Sequence, residues 1–113
     1  MRAHKRYVQN GELQPAVFCD HDGGMSVSWQ KYATAINARR RARVPHDNGI
    51  ISFERAGDVR AIGTPALRVE HAPDIETRDR SHAEVFGDKK AAGVRVALLK
   101  LFRWQISVEA PVE

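Results

Sequence analysis

The strongest constraint on the fold is a strictly alternating segment at residues 66–71. Leu67, Val69 and His71 fall on one side of this segment, and charged residues lie between them. Successive side chains of a β-strand point to opposite faces, so the pattern predicts a strand with one apolar and one polar face. Pro73 follows and is expected to end the strand. A chain with such a strand needs further strands to pair with it and helices to cover its apolar face.

The remaining pattern predicts an α+β fold with a small, mainly antiparallel sheet. The expected strands lie near 13–19, 50–53, 59–62, 66–71 and 104–108, the second and third forming a hairpin. Apolar residues recur at helical spacing in 28–43 and 89–103, which we expect to form two helices on one face of the sheet. Residues 81–86 predict a short helical turn that Gly87 closes. No repeat or linker divides the chain, so we expect one compact domain over 1–113.

Composition excludes several classes of protein. With 113 residues, 42% of them hydrophobic and 28% charged, the chain is typical of a folded globular domain and not of a disordered one. No apolar run approaches the roughly 18 residues of a membrane helix, and the basic N-terminus lacks the apolar stretch of a signal peptide, so we expect a cytoplasmic protein that does not enter membranes. The single cysteine, Cys19, excludes an internal disulfide and a multi-cysteine zinc site. We therefore expect no cofactor.

The net charge of +4 is unevenly distributed along the chain. Residues 1–45 hold eight basic against three acidic residues, residues 46–88 hold five against nine, and residues 89–113 hold five against two. A basic chain invites a nucleic-acid interpretation. Basic ends can also pair with the acidic middle within the fold, so both uses of the charge remain open.

The densest positive charge is the run at residues 39–43, just before Pro45. An exposed face carrying these arginines would contact the phosphates of a polyanion. Trp29 and Tyr32 precede the run and can stack on bases, although their helical spacing with Ile36 favours a buried stripe. Arginines in a last helical turn also complement the helix dipole, so a solvated helix end is the alternative. The candidate ligand-binding residues here are Arg39, Arg41 and Arg43.

A second candidate site surrounds the charge-dense loop after the alternating strand. His71 precedes this loop, Arg78 and Arg80 lie within it, and His82 follows it. Imidazoles exchange protons near neutral pH, and guanidinium groups bind the oxygens of a phosphoester, so His71 and His82 with Arg80 form a candidate catalytic set. Arg78 is a candidate ligand-binding residue. The alternative is that both histidines are neutral core residues, each with one hydrogen bond.

Residues 19–24, Cys-Asp-His-Asp-Gly-Gly, support several interpretations. Asp20, His21 and Asp22 have the side chains of a metal site without a recognised ligand spacing. Cys19 beside a histidine suggests a nucleophile, and the two glycines suggest a phosphate-binding backbone. A plain turn explains the segment equally well. We therefore assign no metal ligand to it.

Three stretches resemble segments of small uncharacterised bacterial proteins. They are residues 15–29 (PAVFCDHDGGMSVSW), residues 48–51 (NGII), and residues 71–73 (HAP) with 81–87 (SHAEVFG). The resemblance implies a bacterial cytoplasmic protein. It implies no activity, cofactor or partner.

These features lead to three functional hypotheses. The first is a binding module for a phosphate-bearing ligand, either nucleic acid or a nucleotide. The second is a small metal-independent enzyme that acts on phosphodiesters or nucleotides through His71, His82 and Arg80. The third is a protein–protein accessory subunit, of the immunity or antitoxin kind, whose acidic middle segment meets a basic partner. Whether the chain is an enzyme stays open at this point.

Overall fold

A computed structural model describes residues 1–20 and 24–112. Their strands are β1 (Arg2–His4), β2 (Val8–Gln9), β3 (Glu12–Leu13), β4 (Met25–Ser28), β5 (Asn48–Ser52), β6 (Arg68–His71), β7 (His82–Phe86) and β8 (Arg103–Ile106). Their α-helices are α1 (Ala35–Arg40), α2 (Ala56–Arg60) and α3 (Val94–Leu101), and short 3₁₀ helices cover Lys5–Tyr7, Pro15–Val17 and Pro45–Asp47. The α+β class predicted from the sequence is confirmed. The strands form three antiparallel sheets, in the orders β1-β5-β8, β2-β3 and β4-β7-β6.

The β4-β7-β6 sheet has one apolar and one polar face, as the alternation at 66–71 predicts. The registers Val27↔Ala83 and His71↔Ala83 place these three side chains on one face, together with the buried Val85. Ser26, Ser28, His82 and Glu84 occupy the other face because they alternate with the first set. The apolar face contributes to the core.

The core joins this face to the β1-β5-β8 sheet and to the helices. Ile51 of β5, Val59 of α2 and Leu98 of α3 are fully buried in the same cluster. Phe18 and Phe102 pack there with ring centroids 5.1 Å apart. Among the described residues no helix is long and apolar enough to cross a membrane.

The short helical turn expected at 81–86 is a strand. β7 is the central strand of its sheet and pairs with both β4 and β6. Ala83 and Val85 are buried while His82 and Glu84 are only half-buried, which is a period of two and not of 3.6. The predicted helical turn was therefore wrong, because Val85 and Phe86 were assigned to the face of His82 by the period of a helix.

Two other predicted strands are replaced by helical turns. The expected hairpin strand at 59–62 lies at the end of α2, where Val59 alone among the helix residues is buried. The expected strand at 13–19 contains a 3₁₀ helix, which begins at Pro15. Proline fixes φ near its helical value and is favoured in a first turn, so the β pairing of β3 ends at Leu13.

The predicted helices are both shorter than expected. The first residue of the helix expected at 28–43, Ser28, is the last residue of β4, and α1 begins only after Thr34, whose hydroxyl accepts a hydrogen bond from the Asn37 N–H at 3.1 Å. Trp29 and Ile36 are 46% and 40% exposed, so the expected buried stripe does not exist. In the second, Gly93 adopts a left-handed φ of 81° and delays α3 to Val94.

The uneven charge of the sequence is partly used within the fold. Lys5 pairs with Asp47 at 3.1 Å, and Arg41 pairs with Asp79 at 3.2 Å. Both pairs join the basic first block to the acidic middle block, as expected from their complementary charges. The Lys5 ammonium lowers the pKa of the Asp47 carboxyl.

Candidate ligand-binding site

Three aromatic rings meet on the surface where β4 and β6 end. Trp29 follows β4 directly, and its backbone N–H donates to the Ser81 carbonyl at 2.6 Å. Tyr32 is brought back by a turn in which its N–H donates to the Trp29 carbonyl at 3.0 Å. His71 is the last residue of β6. We call Trp29, Tyr32 and His71 the aromatic cluster.

The rings of the aromatic cluster are arranged in mutual contact. Trp29 meets Tyr32 edge-on with centroids 5.2 Å apart, and meets His71 edge-on at 5.3 Å. Tyr32 and His71 are nearly parallel, with an interplanar angle of 15° and centroids 6.1 Å apart. Such edge and offset geometries are those that aromatic quadrupoles favour. The cluster is therefore a defined platform, although Trp29 and His71 remain exposed.

Two cations flank the aromatic cluster. The Lys31 ammonium lies 5.3 Å from the Trp29 ring and 5.5 Å from the Tyr32 ring. The Arg80 guanidinium carbon lies 4.8 Å from the Tyr32 ring. All three distances are within the range of cation–π attraction. The cluster thus combines flat π surfaces with positive charge.

A cavity of 460 Å³ opens beside the aromatic cluster, lined in part by Trp29 and His71. This volume falls within the range of small-molecule sites. Its other lining residues include Val27, Phe53, Val69, Thr34, Arg60 and Gln105. The Arg60 guanidinium is held there by a hydrogen bond to the Val69 carbonyl at 2.7 Å. The cavity offers apolar walls with a few polar groups, which is the usual lining of a small-molecule site.

The hydrogen bonding of His71 fixes its tautomer. Its Nε2 lies 2.7 Å from the Arg80 carbonyl oxygen. A carbonyl only accepts, so Nε2 carries the hydrogen and donates. In the neutral ring Nδ1 is then an acceptor. This bond also ties the aromatic cluster to the loop that bears Arg80.

His82 lies on the opposite face of the sheet from His71. The residue paired with His71 is Ala83, the next residue after His82, and adjacent residues of a strand point to opposite faces. His82 lines a second cavity, of 550 Å³, and is absent from the lining of the first. The structure therefore does not bring the two imidazoles of the candidate catalytic set into one cleft. Arg80 stays with His71.

The loop between β6 and β7 contains an isolated antiparallel bridge that is one residue out of register with the pairs of the two strands. Asp74 and Asp79 exchange both backbone hydrogen bonds at 2.9 Å. The Asp79 carboxylate also accepts a hydrogen bond from the Ser81 hydroxyl. This hydrogen bond lowers the pKa of the Asp79 carboxyl, and the neighbouring Arg41 and His82 lower it further. Arg78 adopts a left-handed φ of 56° and is exposed. It is not one of the residues that form or flank the aromatic cluster.

The three arginines predicted on the first helix lie in different environments. Arg39 is only 2% exposed, and its guanidinium donates to four backbone carbonyls, those of Pro45, Asn48, Val108 and Pro111. Its donors are used within the fold, so we leave it out of the site proposed below. Arg41 lines the second cavity, and Arg43 is exposed beyond α1.

The segment at 19–24 is described only in part. His21, Asp22 and Gly23 lie outside the described residues, so the metal and glycine interpretations that depend on them stay predictions. The Cys19 sulfur lies 3.8 Å from the Tyr7 hydroxyl, an interaction that raises the pKa of Tyr7. Asp20 pairs with the buried Lys89 at 2.8 Å. Across residues 1–20 and 24–112 no group of histidine, cysteine and carboxylate side chains could hold a metal ion.

Sequence reasoning places His71 and Arg80 in one candidate site, and it names Trp29 and Tyr32 as base-stacking candidates beside the arginine run and not beside His71. Trp29 and Tyr32 were interpreted first as a buried helical stripe, and Lys31 was not considered. The sequence signal for an exposed site was the pair Gln30 and Lys31 between the two aromatic residues, because polar residues of this kind favour a surface turn. The comparisons with known proteins add no partner: no protein-family model, curated protein or solved structure matches this chain.

Proposed function

We propose that this chain binds a phosphate-bearing ligand with a nucleobase, either single-stranded nucleic acid or a nucleotide, at the aromatic cluster. The observation that carries the proposal is the joint exposure of Trp29 and His71 beside a 460 Å³ cavity, with Lys31 and Arg80 against the rings of the aromatic cluster. Bases stack on aromatic side chains, and cations neutralise the phosphates that link them. The site offers both groups within one surface.

The roles follow from the geometry. A base enters the cavity and packs on Trp29, since the indole forms part of the wall. Lys31 lies over the Trp29 and Tyr32 rings and Arg80 over the Tyr32 ring, and both contact the phosphates of the ligand in this proposal. Stacking tolerates any base, so the proposal implies binding with weak sequence preference and strong salt dependence.

Titration of a fluorescein-labelled oligothymidylate, followed by anisotropy, tests the proposal. Trp29→Ala is expected to weaken binding about 5- to 100-fold, the range of one lost base–aromatic stack. The matched control is Trp104→Ala, because Trp104 is 36% exposed on β8 and lies outside the aromatic cluster. The control is expected to bind within about twofold of the unmodified protein.

The charge on the site is tested by the same titration at several salt concentrations. Lys31→Gln and Arg80→Gln are each expected to lower the slope of log affinity against log salt by about 0.7, the value for one single-strand phosphate contact. Competition with adenosine monophosphate distinguishes a nucleotide site, which the mononucleotide blocks, from a strand-binding site, which it does not. Equal affinity of Trp29→Ala and Trp104→Ala would remove the aromatic cluster from the site, and absence of binding at low salt would refute the function.

A further inference from the structure

The second cavity holds a serine and a histidine in hydrogen-bonding contact. Ser26 lies within β4 and His82 begins β7. The register pairs Ser28 with His82 and Ser26 with Glu84, so Ser26 is two pairs further along on the same polar face. The Ser26 Oγ is 3.3 Å from His82 Nε2. This is the spacing of a serine and its base before a substrate is bound.

The other ring nitrogen of His82 determines which atom carries the proton. His82 Nδ1 is 2.7 Å from the Ala72 carbonyl oxygen, across the β6–β7 hairpin. The carbonyl only accepts, so Nδ1 donates and carries the hydrogen. In the neutral ring Nε2 is then an unprotonated acceptor that faces the Ser26 hydroxyl. The Ala72 carbonyl thus orients the imidazole in the tautomer that can remove the serine proton.

A cation shares this cavity. Arg41, Thr77 and Asp79 line it together with Ser26 and His82. The Arg41 guanidinium is held 3.2 Å from Asp79 Oδ1, and that same oxygen is hydrogen-bonded by Ser81. Arg41 is therefore placed at the cavity by a carboxylate that is itself fixed. A positioned guanidinium stabilises negative charge that develops on a substrate oxygen.

We propose that Ser26 is a nucleophile activated by His82 and that this second cavity cleaves small carboxylic esters. The Ser26 Oγ forms a bond to the carbonyl carbon while its proton passes to His82 Nε2. The carbon–oxygen bond to the alcohol then breaks, and His82 returns the proton to the departing alcohol oxygen. Water, deprotonated by His82, adds to the acyl-serine carbon, and the proton goes back to Ser26 as the free acid leaves.

This activity is independent of the ligand site proposed above. His82 and Ser26 lie on the polar face of the β4-β7-β6 sheet, whereas His71 lies on the opposite face. Arg41 serves the transition state in place of Arg80, which stays with the aromatic cluster. Failure of nucleotide binding would leave the ester proposal standing, and the reverse also holds.

A fluorophosphonate probe tests the nucleophile directly. The Ser26 oxygen is expected to bond to phosphorus as fluoride leaves, with the hydroxyl proton passing to His82. Labelling is located by peptide mass spectrometry. We expect Ser26→Ala and His82→Asn to lower the labelling rate at least about 100-fold, the contribution of a general base. Asparagine at position 82 can still donate to the Ala72 carbonyl but supplies no base, and circular dichroism checks that each variant folds.

Ser28→Ala is the matched control, because Ser28 lies on the same strand, face and cavity edge without a described hydrogen bond to an imidazole. It is expected to label at the rate of the unmodified protein. Hydrolysis of 4-nitrophenyl acetate is expected to fall in the same variants as labelling does. Absence of labelling, equal labelling of Ser26→Ala, or equal loss in Ser28→Ala would each overturn the activated serine. Labelling without ester hydrolysis would overturn the substrate class.

Discussion

Replacing Arg39 by methionine is expected to destabilise the fold by about 3 kcal/mol. The guanidinium donates to carbonyls of Pro45, Asn48, Val108 and Pro111, at 2.7 to 3.2 Å. Pro111 is exposed, so its carbonyl regains water when the arginine is lost. The other three carbonyls belong to half-buried residues, and each lost bond costs about 1 kcal/mol. The variant keeps the apolar stem, so no large cavity is added to this loss.

Urea unfolding followed by tryptophan fluorescence measures the change, with the slope of free energy against urea compared between proteins. For a chain of this length a loss of 3 kcal/mol also lowers the melting temperature by about 10 °C or more. Arg43→Met is the matched control, since Arg43 is exposed four residues further on. It is expected to change stability by less than about 0.5 kcal/mol. Arg39→Lys keeps the charge, and a loss close to that of Arg39→Met identifies the planar fork of donors as the cause. Equal stability of Arg39→Met and Arg43→Met would refute the structural role.

Three further predictions test a close backbone approach and two carboxylate interactions. Gly49→Ala is expected to lose about 2 kcal/mol in thermal unfolding, because its Cβ would lie 2.6 Å from the Ile106 carbonyl oxygen; a loss below about 0.5 kcal/mol would contradict this. Asp79→Asn is expected to be destabilising at about pH 7 and progressively less so as the pH falls below 3.8, since a carboxyl whose pKa is lowered contributes its full stability above its ordinary pKa of 3.8 and loses it as the pH falls through its lower folded-state pKa. A pH-independent difference in urea midpoints would refute this. Asp20→Ala is expected to destabilise more than Lys89→Met, because it leaves a buried ammonium without its counter-charge; the reverse order of urea midpoints would argue against that ion pair.

The class of the fold could be predicted from sequence, because alternation is a local signal that tertiary contacts seldom override. Residues 66–71 and 50–53 were predicted as strands and overlap β6 and β5. The limits of the helices could not be predicted. Trp29 and Ile36 have helical spacing, yet the chain around Trp29 makes a turn, because the Trp29 backbone N–H donates a hydrogen bond to the Ser81 carbonyl. Hydrogen bonds of this kind join residues that are distant in sequence, so the spacing of apolar residues along the chain does not predict them.

Arg39 shows a second limit of sequence reasoning. A run of arginines predicts surface charge, and Arg41 and Arg43 are indeed exposed. Arg39 is buried because four carbonyls from α1's neighbours converge on one point. Three of these neighbours follow at the start of β5 and beyond β8, so the acceptors come from segments that only the folded chain assembles.

The separation of the two candidate sites follows from a single strand. His82-Ala83-Glu84-Val85 alternates polar and apolar residues, which is the same signal that predicted β6. Once this segment is a strand paired antiparallel with β6, His71 pairs with Ala83. The Asp74–Asp79 bridge in the loop is one residue out of step with this register, so the strand pairing and not the bridge decides which residues share a face. The parity of that pairing places His71 with the aromatic cluster and His82 with Ser26. A shift of one residue in the loop would exchange the faces and turn His82 and Glu84 into the core, where the buried Ala83 and Val85 now pack. The burial of these two residues therefore holds each imidazole at its own cavity.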